Sequence, residues 1–241
     1  MRFMIFTFFL TTACFAQPTE FRKSKKILAK IYKQVETKTF YCDCNYKGKT
    51  VDKASCGYKG KLKKSGVEYY AKRSKKIEWE HVFPVSKAIG AFEECRGKGH
   101  INKKTGKRKN LSRKKCLKAS ARFRALEADL FNLVPAVGSL NAVRSSLSYA
   151  EIAGELREWR KCDFEKVGRK VEPQDSVKGD IARIYFYLEK QYPFVGVISR
   201  KNRKLFDAWN KMDPVDDKER RINCLKAKYQ GHSNPFVGEC K

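Results

Sequence analysis

Acidic residues are scarce in this chain of 241 residues: 26 Asp and Glu stand against 54 Lys and Arg, a formal charge of +28 with His neutral. Such an imbalance points to a polyanionic partner, most often nucleic acid. Histidine is scarcer still. Only His81, His100 and His232 could supply an acid or base that titrates near neutrality. Beyond residue 16 no apolar run approaches the roughly 20 residues that a membrane-spanning helix needs. Paired C-x-x-C knuckles are missing, as are recognition-helix, zinc-finger and RNA-recognition signatures. No internal repeat or low-complexity linker marks a domain boundary.

Apolar material is present in quantity. Hydrophobic residues make up 41% of the chain and aromatics 12%, which excludes a disordered polybasic tail. The length is enough for one large domain with a real core.

Residues 1–16, MRFMIFTFFLTTACFA, place Arg2 before an apolar run from Phe3 to Leu10 and then small residues up to Ala16. That is the layout of a secretory signal peptide cut after Ala16, and the run is too short for a membrane anchor. Lipid attachment at Cys14 is disfavoured by Thr11, since a lipoprotein signal carries Leu three residues before its cysteine. The expected product is residues 17–241, exported and without a membrane span.

That product keeps eight cysteines: Cys42, Cys44, Cys56, Cys95, Cys116, Cys162, Cys224 and Cys240. An even number in an exported chain implies disulfides, although eight cysteines allow 105 pairings. Cys95 and Cys116 bracket the most basic loop and are natural partners, as are Cys224 and Cys240. Closing the first of these loops stabilises the fold by about 3 kcal/mol on the chain-entropy estimate. A zinc site is the competing reading, and the cysteine spacings do not suit it. Disulfides that form only after export imply that reduced protein is poorly folded and weakly active.

Along the chain, SKKILAKIYKQVE from Ser24 sets Ile27, Leu28, Ile31, Tyr32 and Val35 on one helical stripe with lysines opposite. TFYCDCNYKGK reads as a strand end with a turn at Lys47–Gly48–Lys49, and IEWEHVFP as a short strand stopped by Pro84. Residues 96–118 hold eleven Lys and Arg and no acid, and read as a loop. Helical spacing returns over 119–131. NLVPAVGSLN reads as a loop, with Asn141 opening a helix through AVRSSLSYAEIA. Three further helices are expected at IARIYFYLEKQY, RKLFDAWNKM and DDKERRINCLKAKY. The sum is a single α+β domain.

His81 stands out among the three histidines because Glu80 precedes it, Pro84 follows shortly, and the chain is elsewhere loaded with phosphate-binding cations. Here the chain resembles the bacterial endonuclease I family, within the ββα-metal (His-Me finger) nucleases. The resemblance rests on FYCDC (40–44), CGY (56–58), IEWEHVFP (77–84), the cysteine-bounded basic segment 95–116 and LEADLFNLVPAVGSLNAVRS (126–145). It continues through IARIYFYL (181–188), AWNKMDP (208–214) and QGHSNPFV (230–237).

The resemblance implies a mixed α+β domain that contains a ββα-metal finger, is disulfide-stabilised and ends in several helices. It implies an exported, sequence-nonspecific endonuclease that hydrolyses DNA, and RNA as well, to 5′-phosphate products. His81 matches the general base that takes a proton from water. Glu80 and Asn141 match ligands of one Mg²⁺, which Ca²⁺ or Mn²⁺ could replace in binding. Asn132 is the alternative asparagine, better suited to holding loop backbone. Arg113, in SRKKC before Cys116, matches the arginine that holds the scissile phosphate. The Cys95–Cys116 interval looks longer than the family's, which leaves Arg96 and Arg108 as rivals. QGHSNP stands where the family has Q-G-N-x-N-P, which gives His232 a structural turn role.

One geometric condition follows from the strand itself. Neighbours on a strand point to opposite faces, so Glu80 and His81 share a site only if the strand ends or bulges there. Nucleic-acid contacts are expected from Lys63, Lys64, Lys72 and Arg73 in one basic run. The other run supplies Lys98, Lys103, Lys104, Lys107, Arg108, Lys114 and Lys115. Such contacts position a backbone without reading bases, so binding should fall as salt rises. The partners are double- and single-stranded DNA and RNA, the protein is expected to be a monomer, and its destination is the periplasm or the medium. Two other readings remain: a secreted polyanion-binding protein without catalysis, and a metal-independent ribonuclease pairing His81 with His100 or His232.

Overall fold

The computed structural model describes residues 17–35, 38–154 and 156–240; the expected signal peptide, with Cys14, lies outside them. Helix α1 (Phe21–Ile31) buries Ser24, Leu28 and Ile31 and leaves its lysines exposed, starting and ending earlier than the sequence pattern suggested. A two-residue hairpin follows, β1 (Tyr46–Lys47) and β2 (Thr50–Val51). Its turn uses Gly48 at φ +59°, a conformation glycine adopts without strain. Next come the single-turn α2 (Ala71–Ser74) and strand β3 (Ile77–His81). The basic segment is loop only as far as Ser112, whose side chain accepts from the Lys115 N–H and opens α3 (Arg113–Ala119). Ser120 caps α4 (Ala121–Ala128) in the same way.

NLVPAVGSLN is not a loop. It supplies β4 (Leu133–Val137), antiparallel to β3 with Leu133 opposite His81 and Val137 opposite Ile77, and then the start of α5 (Gly138–Arg144). Pro135 is tolerated because the sheet has only two strands, and on the edge of β4 away from β3 only its carbonyl is used, accepting from the Phe40 N–H at 2.8 Å. Asn141 accordingly sits in the middle of α5 rather than opening it. The helix expected through AVRSSLSYAEIA stops at Arg144, where Ser145 turns to φ 48°, and the chain continues into β5 (Ser148–Tyr149). Strands β6 (Phe164–Val167) and β7 (Lys170–Pro173), which the pattern did not suggest, complete a three-stranded sheet in the order β5-β7-β6.

The three expected carboxyl-terminal helices are present: α6 (Lys178–Gln191), α7 (Arg200–Met212) and α8 (Asp217–Gln230). Helix α6 is buried along most of its length and packs Ile181, Tyr185 and Leu188 into a core shared with Phe206 and Trp209 of α7. Asp216 accepts from the Glu219 N–H to start α8, and left-handed Gly231 ends it. None of the described helices is long and apolar enough to cross a membrane.

All eight cysteines among the described residues are in disulfides. Cys95–Cys116 and Cys224–Cys240 join as expected, and the other two bonds are Cys42–Cys162 and Cys44–Cys56. Cys42–Cys162 spans 120 residues and ties the segment before β1 to the edge of the three-stranded sheet. The result is a single α+β domain whose centre is the ββα unit β3–β4–α5.

Candidate active site

The ββα unit presents its polar residues at the end of β3. Asn132 stops the strand there. Its Oδ1 accepts from the Phe83 N–H at 2.7 Å and its Nδ2 donates to the Phe83 carbonyl at 3.0 Å, while its own carbonyl accepts from Val82 N–H. This is the backbone-holding role expected of Asn132. With the ladder ended at His81, Glu80 and His81 straddle the strand tip and both line one cleft of about 1410 Å³. Asn141 and Arg113 line the same cleft.

On one face of β3, Glu78 and Glu80 lie two residues apart and point towards α5. Glu80 is only 4% exposed. Its Oε1 accepts from the Tyr41 hydroxyl at 3.3 Å and lies 3.4 Å from Nε of Arg144, which is completely buried. Burial raises the Glu80 pKa to about 7, against the pull of Arg144 and of the Tyr41 hydrogen bond. Arg144 also donates to the Val82 carbonyl and lies over the Tyr149 ring, 4.7 Å from its centroid. Burial opposes its charge, yet Tyr149, Glu80 and Tyr41 leave its pKa above the ordinary arginine value. Glu78 is held by Arg73 at 2.9 Å and accepts from Asn141 Nδ2 at 3.0 Å. A carboxylate only accepts, so the amide nitrogen of Asn141 must face Glu78 and its oxygen is left for another partner. Gly138 makes this approach possible, because a Cβ there would lie 2.7 Å from the Arg73 carbonyl and 2.9 Å from the Glu78 carboxyl carbon.

The other face of β3 is apolar. His81 packs against Phe21 of α1, with ring centroids 4.9 Å apart, and is 7% exposed. Its Nε2 lies 2.8 Å from the Glu127 carbonyl, which can only accept, so Nε2 carries the hydrogen and Nδ1 is the basic atom. Burial lowers its pKa to about 3, with Arg113 and Arg144 acting in the same direction and the Glu127 bond opposing. The imidazole is therefore neutral throughout the neutral range. The carboxylate of Glu127 pairs with Arg113 at 2.6 Å, so one residue orients the imidazole through its backbone and the guanidinium through its side chain.

The rival arginines are elsewhere. Arg96 donates to the Gly90 carbonyl and Arg108 to the Gly99 carbonyl, and neither lines the cleft. His100 is exposed on the basic loop, and His232 meets the Tyr187 hydroxyl at 2.9 Å; neither joins His81. Of the lysines and arginines expected to contact nucleic acid, only Arg73 lines the cleft, while Lys63, Lys64, Lys72, Lys98, Lys103, Lys104, Lys107, Lys114 and Lys115 are exposed outside it. The cations that do line it, besides Arg73 and Arg113, come from α1, from the β1–β2 turn and from Lys76. Arg144 and Glu78 were also missed. The signal available for Glu78 was its i−2 relation to Glu80, which puts both on one strand face. Nothing in the sequence marks Arg144 as buried.

The donors at the cleft are hard oxygens, a carboxylate and an amide, and no group of three or more His, Cys, Asp or Glu that could hold a metal ion occurs among the described residues. That set suits a small hard cation that keeps several waters, and it does not suit zinc or copper.

A neutral imidazole, a carboxylate and a cationic cleft around a ββα unit define a nuclease. The Endonuclease I family matches residues 20–241, and the chain belongs to it. It is 36% identical over 240 residues to the periplasmic deoxyribonuclease of Aeromonas hydrophila, covering 96% of this chain and 91% of that one. It is 35% identical over 226 residues to an extracellular deoxyribonuclease of the same organism, covering 90% and 88%. Endonuclease-1 of Buchnera aphidicola subsp. Acyrthosiphon pisum is 33% identical over 225 residues, covering 90% and 80%. The chain is thus an exported endonuclease, periplasmic or extracellular, of a family whose nucleases are in general metal-dependent.

Proposed function

We propose that this protein hydrolyses phosphodiester bonds of double- and single-stranded DNA, and of RNA, without sequence preference, leaving 5′-phosphate ends, with His81 as general base and Mg²⁺ as the ion. The observation that carries the reading is the His81 Nε2–Glu127 carbonyl bond at 2.8 Å in a cleft that Glu80 and Asn141 also line. Fixing the hydrogen on Nε2 keeps the lone pair on Nδ1, which is unprotonated at neutral pH and is the atom that would take the proton from water; the burial that keeps it neutral also makes it a weaker base than a free imidazole. Arg113 is more than two-fifths exposed and is steadied by Glu127, which suits it to receive a phosphate oxygen through its planar fork.

Glu80 and Asn141 would hold the ion, and Glu78 orients the Asn141 amide so that its oxygen is available. When bound, the ion would neutralise charge on the phosphate and on the departing oxygen. Arg144 and Tyr41 keep the Glu80 carboxyl in place from behind. Lack of sequence preference follows from a cleft lined by lysines and arginines, which recognise the backbone common to all sequences. RNA shares that backbone.

The test is digestion of plasmid, single strands and RNA by the oxidised protein, with Mg²⁺ and with chelator, followed by end-group analysis. Cleavage that stops in chelator, is lost in His81→Ala and leaves 5′-phosphates supports the reading. Cyclic-phosphate products or chelator-insensitive cleavage would refute it, and tight salt-sensitive binding with no turnover would make the protein a binder.

A further inference from the structure

Helix α1 contains no acid and carries five exposed cations, Arg22, Lys23, Lys25, Lys26 and Lys30. Arg22 and Lys26, four residues apart, share one stripe of the helix, and Lys25 stands beside it. These three and Lys33, in the turn just past the helix end, line the cleft that holds His81, whereas Lys23 and Lys30 lie outside it. The helix is fixed where it lies. Ser24 Oγ donates to the Ala128 carbonyl at 2.6 Å, and the Gln34 carbonyl just beyond the helix accepts from Arg221 at 2.8 Å. Lys25 Nζ sits 4.7 Å from the centre of the Phe21 ring, which also meets the His81 ring at 4.9 Å and the Arg113 guanidinium at 6.0 Å. The cationic stripe therefore begins one aromatic ring away from the imidazole. The same cleft is lined by Lys47 and Lys49 at the β1–β2 turn and by Trp79 and Tyr32, whose rings are 5.4 Å apart.

The loop 96–110 is just as basic but its construction differs. It folds on itself through the bridge between Ile101 and Arg108, and its cations lie outside the cleft. The same charge density is thus presented in two places, and only one of them leads to the imidazole.

We propose that the cations of α1, with Lys33 in the turn that follows it, are the track for one nucleic-acid strand as it leaves the scissile phosphate. Arg22, Lys25, Lys26 and Lys33 bind successive phosphates, and Lys47 and Lys49 hold the strand in the same cleft. From residue 22 to its end at residue 31 the helix rises about 13 Å, against roughly 3.4 Å per nucleotide along a strand, so the track spans about four nucleotides. The inference rests on the nuclease reading of the same cleft and adds the path of the substrate.

Two variants with the same loss of charge test it. The track variant carries Arg22→Gln, Lys25→Gln, Lys26→Gln and Lys33→Gln. The loop variant carries Lys103→Gln, Lys104→Gln, Lys107→Gln and Arg108→Gln. Binding of a short labelled single strand, and of its duplex, is followed by anisotropy in chelator across a salt series, so that no cleavage intervenes. The track variant should lose about tenfold or more in affinity, with the slope of log K against log salt falling by about 3. The loop variant should lose less than half of that slope. In Mg²⁺ the track variant should show a raised KM with kcat largely kept.

Equal losses in the two variants would show that net charge alone matters and would overturn the proposal, as would a larger loss in the loop variant. If the track variant does not fold, Lys26→Gln/Lys33→Gln set against Lys103→Gln/Lys104→Gln makes the same comparison. The two readings fail separately. A wild-type protein that binds but never cleaves removes the nuclease reading, while unchanged binding by the track variant of an active nuclease removes only the track.

Discussion

The two faces of β3 carry Glu80 and His81, the two groups to which the proposed function gives the chemistry, and they are built in opposite ways. Glu80 faces a polar interior of Arg144, Tyr41 and Tyr149. His81 faces an apolar one, formed by Phe21 and the wall of α4. Yet burial acts on both in the same sense, because it disfavours whichever form is charged. It lifts Glu80 to about 7 and drops His81 to about 3. The comparison teaches that a neutral imidazole needs nothing more than burial and one carbonyl. A carboxylate kept for a cation needs a counter-charge built into the fold.

The strongest way to break this arrangement is to release the polar face from behind. Cys42 adjoins Tyr41, the residue whose hydroxyl meets Glu80, and its partner Cys162 lies 120 residues away. Replacing Cys42 and Cys162 by Ser should lower stability by about 5 kcal/mol on the chain-entropy estimate, against about 3 for the short Cys44–Cys56 loop. Denaturant titration of both double variants checks the order. By the same argument, full reduction should leave little folded protein and little activity.

Second in size is His81→Ala. General-base catalysis contributes up to about 10⁴-fold, and cleavage should fall by about a thousandfold, or roughly 4 kcal/mol of barrier. Oligonucleotide binding in chelator should be unchanged, because the apolar face makes no phosphate contact of its own.

Arg144→Met then sharpens the contrast, since it leaves Glu80 buried without its cation. A loss of about 3 kcal/mol is expected, the usual cost of removing one partner of a buried pair, and equilibrium unfolding at pH 8 would show it. A matching Phe21→Ala on the other face should cost less, about 2 kcal/mol, from the aromatic contact and the half-buried ring together.

Below the loss at Arg144 comes a dependence on pH. Lys226 is buried, donates to the carbonyl of Leu133 opposite His81, and has its pKa lowered to about 8 by that burial. Between about pH 8 and 10.5 the unfolded chain holds a proton on this lysine that the folded chain has released, so stability rises with pH across that window. Lys226→Met removes the rise. The difference between wild type and variant should grow by about 2 kcal/mol from pH 8 to 9.5, read from unfolding curves at each pH.

Much of this was legible beforehand. His81 stood out by its sequence company, while Glu80, Asn141 in SLNAV and Arg113 before Cys116 were implied by the resemblance to the family, and all four line one cleft. Cys95–Cys116 and Cys224–Cys240 were legible because their partners are near in sequence. The other two pairings were not, since nothing local says that Cys42 meets Cys162. β4 was read as a loop because Pro135 and Gly138 are breakers in isolation. Only the pairing with β3 shows that the proline sits on an outer edge where no N–H is needed and that the glycine makes room for Glu78. The cations of α1 looked like the solvated side of an amphipathic helix.

What the sequence determined by itself are the properties set by near neighbours: helical stripes, the presence of a short strand at 77–81, the excess of charge and the oxidised state of the cysteines. Tertiary structure alone decided which cations face the imidazole, that Arg144 is buried beside Glu80, and that Lys226 lies behind Leu133. The physical reason is that burial and electrostatic environment are sums over groups distant in the chain. A residue's own neighbourhood in sequence carries almost none of that sum.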